Sequence, residues 1–189
     1  MNTNLQTRLK EETAELHAKS EQHPLMQSFV TGAFNKAHLL DLLINLLPIY
    51  QAVEQRLIPK EILENPELKR STYIQKDIDK LISDIGYGKS SLKNITINYV
   101  SRMWVKYLGS LRSDLYLRWL ADFYGGRILA KSQAPYNETY QANDPAKVIN
   151  EVRHILTKDF DKVSDDDVVL LTKEFFQFHI DLFEEIWTN

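Results

Sequence analysis

The stretch that decides the fold runs from Ser164 to Ile186, SDDDVVLLTKEFFQFHIDLFEEI. Val168, Leu171, Phe175, Phe178, Leu182 and Ile186 recur every three or four residues, the spacing that lines one face of an α-helix. Asp165, Asp166 and Asp167 follow Ser164 and fall in the first turn, where the helix dipole favours negative charge. A long apolar stripe of this kind is stable only when other elements cover it.

Working outward, the covering elements also read as helices. Asp144-Pro145 places a capping residue before a proline at the first helical position, opening a helix to about Phe160. Another runs from about Asp114 to Lys131 and is closed by Pro135. Tyr99, Met103, Trp104, Tyr107 and Leu111 mark one more, with Gly109 at its end. Residues 67–83 form a more polar helix, stopped by Gly86-Tyr87-Gly88. Asn35 caps a helix reaching about Ile58; it is apolar on more than one face, hence central, and Pro48 is expected to kink it. Leu5, Leu9, Thr13, Leu16 and Ser20 place the first helix over about 5–20, ended at His23-Pro24. No stretch alternates with period two. The expected fold is all-α: one domain over 1–189, a bundle of about seven or eight helices around one core.

Composition narrows the function. The chain has 189 residues, 23 Lys plus Arg against 26 Asp plus Glu, and a formal net charge of −3. That balance lacks the basic excess of a general nucleic-acid binder. There is no cysteine, which removes disulfide frameworks, thiolate metal sites and a cysteine nucleophile together, and suits a reducing compartment. Met1-Asn2-Thr3-Asn4 shows no secretory pattern. The richest apolar run, Leu39 to Val53, is interrupted by Asp41, Asn45 and Pro48 and is too short for a membrane span. A cytoplasmic location is expected.

Five histidines are available: His17, His23, His38, His154 and His179. A di-iron carboxylate bundle needs two Glu-x-x-His motifs, and only Glu151 to His154 supplies one. No two histidines share a helix face, so a zinc site is unsupported. His17 lies at the edge of the first apolar stripe, Lys10 two turns earlier on nearly the same azimuth, and Glu21 one turn later, placed to accept the second imidazole N–H. Taken alone, this is more readily the pattern of an ordinary edge histidine flanked by solvated charges. A second region is more unusual. Trp119 to Leu129 is apolar enough for burial, yet carries Gly125-Gly126 well inside, each costing about 1 kcal/mol against alanine. Asp122, Gly125, Gly126 and Leu129 share a face, with Arg118 one turn before. Bare backbone beside a carboxylate suits a flat ligand; close helix packing around an Arg118–Asp122 pair explains it equally well.

Leu9 to Glu21, LKEETAELHAKSE, resembles the proximal helix of the biliverdin-producing heme oxygenase family, and Tyr116 to Gly126, YLRWLADFYGG, resembles that family's distal signature. Tyr50 falls where the family places a distal tyrosine, and Phe178 to Glu185 resembles its last core helix. The resemblance covers about residues 5–187 and is weakest in the middle. It departs at Ala121, Phe123 and Tyr124, where the family has glycine, leucine and serine.

This resemblance implies that heme is both substrate and prosthetic group, with His17 its axial iron ligand and Glu21 the support for that imidazole. Lys10 and Arg153 would hold propionates, and Tyr116, Gly125 and Gly126 would line the pocket. Asp122 would organise distal water, backed by Arg118 and Tyr50. Dioxygen and external electrons would yield biliverdin, ferrous iron and carbon monoxide. No G-x-G-x-x-G fingerprint is present, so electrons are expected from a separate ferredoxin or flavin reductase. Neither a nucleic-acid partner nor a membrane anchor is expected. A thiaminase-type hydrolase on the same architecture would need the missing cysteine. A non-catalytic heme carrier or sensor is the remaining alternative.

Overall fold

Ser164 caps the helix around which the molecule is assembled: its Oγ accepts the Asp167 N–H at 3.1 Å and donates to the Asp167 carboxylate at 2.7 Å. The computed structural model describes residues 4–57, 69–86, 92–105, 112–114, 116, 129, 131–138, 145–156 and 163–189. Among these residues all regular structure is helical. The segments are α1 (Leu5–Glu12), α2 (Ala14–Gln22), α3 (Pro24–Thr31), α4 (Lys36–Leu57), α5 (Arg70–Ile85), α6 (Asn94–Val105), the single turn α7 (Arg112–Asp114), α8 (Pro145–Leu156) and α9 (Asp165–Trp187).

The helix α9 carries the expected stripe inward. Val168, Leu171, Phe175, Leu182 and Ile186 are buried, Phe178 is half-buried against them, and α1, α2, α3, α4, α6 and α7 all pack on α9. The other long helix, α4, lies mainly against α5 and continues through Pro48. As expected, Asn35 caps α4, its Oδ1 accepting the Ala37 N–H at 2.8 Å. Buried Asn45 then fastens α4 to the start of α6: its side-chain oxygen accepts the Lys93 N–H at 2.7 Å and the Thr96 O–H at 3.0 Å, while its nitrogen donates to the Asp41 carbonyl. These bonds satisfy polar groups that would be costly to bury unpaired.

Two expectations change near the N-terminus. The first helix is not continuous over 5–20; it divides at Thr13 into α1 and α2. The backbone ladder nevertheless passes through the division, with Thr13 N–H to Leu9 O at 3.1 Å and His17 N–H to Thr13 O at 2.9 Å. This is a bend with a local cause. The Thr13 hydroxyl donates to Leu9 O at 2.6 Å, a back-bond that bends helices. The second change is α3, absent from the sequence reading. His23 caps it, Pro24 occupies its first position, and Gly32 closes it at φ 74°. Only glycine adopts that conformation without strain.

Smaller shifts occur elsewhere. The polar helix spans 70–85 rather than 67–83, and the helix expected from Asp114 is already in a helical turn at Arg112. Most of the Asp114 to Lys131 span lies outside the described residues, as do Gly109 and the stretch from Thr157 to Phe160.

Candidate functional site

The bend at Thr13 presents α2 with one side against α9 and the other to solvent. Thr13 is 1 % exposed, Leu16 and Ser20 are half-buried, and His17 is turned outward. The His17 side chain is 48 % exposed, and its ring meets buried Phe176 of α9 edge-on, with centroids 5.7 Å apart. Its Nε2 lies 3.5 Å from a Glu21 carboxylate oxygen. That is an electrostatic contact, longer than a good hydrogen bond. Glu21 thus stands beside the imidazole as the i, i+4 spacing predicts, and no other polar group among the described residues bonds the ring. An accessible imidazole with one nitrogen facing a carboxylate and the other uncommitted fits an axial ligand to heme iron.

Lys10 stands exposed in the last turn of α1. Thr13 lies between them, so Lys10 and His17 belong to different helical segments. The rest of α1 is tied down electrostatically. Arg8 bonds Asp166 at 2.7 Å, and Glu12 accepts from Lys173 at 2.9 Å, so α1 is laced to α9 along one edge. The hydrogen bond from Lys173, and secondarily that from Arg8, hold the Glu12 carboxyl below its ordinary value.

Tyr116 packs near the N-terminal helices. It is half-buried and touches both the main core and the smaller cluster of Leu5, Leu9, Val168 and Val169. Burial pushes its phenol up from the ordinary value. Tyr50 is 3 % exposed in α4, within the main core. One turn on, buried Glu54 accepts the Ser71 N–H at 2.9 Å and the Ser71 hydroxyl, while desolvation raises its carboxyl. Arg153 is half-buried in α8. Arg118, Ala121, Asp122, Phe123, Tyr124, Gly125 and Gly126 lie outside the described residues.

Other polar groups prove structural in ways the sequence reading overlooked. His23, the next histidine after His17, is 8 % exposed; its Nδ1 accepts the Leu25 N–H at 3.2 Å and its Nε2 faces Glu184 at 3.1 Å. Both nitrogens are engaged, which removes His23 as an alternative ligand. The signal was the His23-Pro24 pair itself, read as a helix end when it is also a helix beginning. Tyr99 donates to Asp114 at 2.8 Å with both residues buried, and Arg112 bonds Asp165 at 2.8 Å and the Val163 carbonyl, anchoring α7 beneath α9. Among the described residues there is no group of three or more potential metal ligands, and no helix is long and apolar enough to cross a membrane.

Comparisons with known proteins converge. A family model described as heme oxygenase matches residues 3–185. A heme oxygenase of Porphyra purpurea is 25 % identical over 184 residues, covering 89 % of this chain and 71 % of that protein. Heme oxygenase 1 of Gallus gallus is 28 % identical over 143 residues, covering 69 % of this chain and 48 % of that longer protein. In fold, the chain superposes on the crystal structure of heme oxygenase-1 from the cyanobacterium Synechocystis in complex with heme, with a TM-score of 0.83, 21 % identity, and coverage of 97 % of this chain and 92 % of that one.

Proposed function

Since the chain belongs to the heme oxygenase family, we propose that it is an enzyme cleaving heme with dioxygen and externally supplied electrons, releasing biliverdin, ferrous iron and carbon monoxide. The observation that carries the assignment to a site is His17: an accessible imidazole beside Glu21, within a family match spanning nearly the whole chain. When bound, heme supplies the iron that activates dioxygen and the porphyrin that is oxidised. The protein's part is to hold and orient it. His17 would hold the iron as a neutral imidazole, and Glu21 would fix the ring's orientation by accepting its other N–H.

Lys10 and Arg153 would pair with the propionates, and Tyr116 would line the pocket. Asp122 would order water, with Arg118 and Tyr50 supporting it, and that water would deliver protons. Gly125 and Gly126 let backbone approach the porphyrin. Ala121 stands where the family has glycine and would add a methyl there. Electrons come from a separate ferredoxin or flavin reductase. The chain works as one domain in the cytoplasm, a reading supported by the span of the family match and by the absence of cysteine.

The experiment is direct. Hemin is added to the purified chain, followed by ascorbate or a reductase in air, and the Soret band is followed. Replacement of that band by a biliverdin spectrum supports the oxygenase; a stable band after reduction identifies a carrier or sensor instead.

A further inference from the structure

Glu54 is a carboxylate that no step above uses, yet it is only 5 % exposed. Such a group is costly to bury, and an apolar side chain in its place would pack without that cost. Its work is at the start of α5. Lys69, the residue before that helix, makes no side-chain cap, so the first-turn N–H groups need an acceptor from elsewhere. Glu54 reaches across from α4 and supplies one. One carboxylate oxygen accepts the Ser71 N–H at 2.9 Å, and the other accepts the Ser71 hydroxyl. Negative charge is also favoured at that end of a helix.

The same carboxylate lies one turn beyond Tyr50 on α4, and both residues are buried. Two residues before Tyr50 stands Pro48, which has no N–H to give the Ile44 carbonyl. The helix is therefore one hydrogen bond short where the turn carrying Tyr50 begins. Before Pro48, α4 is fixed by Asn45, which bonds Lys93 and Thr96 at the start of α6. After it, Ile49, Ala52 and Val53 pack into the core. Apolar packing is non-directional: it holds a helix down without fixing how it turns. The directed bonds from Glu54 to α5 supply what that packing lacks. We infer that Glu54 is a positioning residue: by capping α5 through Ser71 it fixes the turn of α4 that carries Tyr50, and so sets where the Tyr50 side chain stands. The inference rests on the heme-degrading reading for its consequence in turnover, but the clamp itself exists without ligand.

The test uses the full chain with Glu54→Gln, Ser71→Ala and Ser71→Thr, its tyrosine rings isotope-labelled, and Tyr50→Phe to assign the Tyr50 ring signals by their loss. Alanine removes the hydroxyl donor and threonine keeps it, while glutamine retains a single acceptor oxygen. In the ligand-free protein, Ser71→Ala and Glu54→Gln should each speed amide exchange at residue 71 about tenfold, the worth of one hydrogen bond to a charged group. Both should also move the Tyr50 ring resonances, and Ser71→Thr should leave exchange and resonances as in wild type. With hemin, both should lower the biliverdin yield per bound hemin severalfold while hemin affinity stays as in wild type. A clamp that is merely structural would lower Tm and leave the Tyr50 signals or the yield per bound hemin untouched, and that result overturns the inference. Failure of Ser71→Thr to keep the wild-type signals overturns it too, since side-chain size at residue 71 would then be responsible. If the wild-type chain forms no biliverdin from bound hemin, the functional reading falls alone; the Tyr50 signals still decide whether Glu54 positions that turn.

Discussion

Replacing His17 and, separately, His23 with alanine separates the ligand from the structural histidine, because the two side chains contribute to stability in opposite proportion to their proposed chemistry. His17 is 48 % exposed, meets Phe176 by one edge-on contact, and faces Glu21 at 3.5 Å. An exposed pair at that distance and one aromatic edge are together worth about 1 kcal/mol at most, a fall in Tm of about 2–4 °C for a chain of this size. His23 is buried, caps α3 through Leu25, and bonds Glu184 at 3.1 Å. Losing a cap costs about 1 kcal/mol and losing a buried hydrogen bond about as much again, so His23→Ala should fall by roughly 2 kcal/mol. The assay is calorimetric unfolding of each ligand-free variant, followed by hemin titration on the same preparation. His17→Ala should remain nearly as stable as wild type and lose the histidine-ligated Soret spectrum, which added imidazole should partly restore. His23→Ala should melt lower and keep that spectrum while folded. A His17→Ala protein with the wild-type spectrum and turnover would refute the assignment.

Lys10→Glu should weaken hemin affinity or alter the mixture of biliverdin isomers by letting the ring rotate; unchanged values of both would remove Lys10 from the site. Asp122→Ala should bind hemin as wild type does but form little biliverdin, and Asp122→Asn should fall between, as an amide still holds water. A variant with lower Tm and normal yield per folded molecule would show that Asp122 only pairs with Arg118. Glu12 carries a pH dependence of defined sign. Its carboxyl is held below 4.5 by Lys173 and then Arg8, so the stabilisation is complete above that value and is lost as pH falls through the lowered pKa. Glu12→Gln should therefore flatten the acid limb of the Tm–pH curve, with the difference from wild type vanishing near 1 M salt.

What could be read from sequence divides according to the range of the interaction responsible. The α9 stripe, the Ser164 cap and the Asn35 cap each depend on residues within one or two turns, so spacing alone reveals them. The same locality brought Glu21 beside His17, since i, i+4 neighbours meet on any helix. The helix α3 had local signals too, but His23-Pro24 reads as a stop as readily as a start, and the wrong choice erased the element. The bend at Thr13 is different in kind. Threonine in a helix has two accessible rotamers, and only one returns its hydroxyl to the carbonyl four residues back. Tyr116, which arrives from a distant part of the chain, packs against the cluster that buries Leu9. Helical periodicity treats Leu5, Leu9, Thr13, Leu16 and Ser20 as one straight stripe and carries no record of such a contact. Lys10 and His17 lie on either side of the irregularity at Thr13, whereas His17 and Glu21 lie wholly beyond it, where their i, i+4 contact is observed.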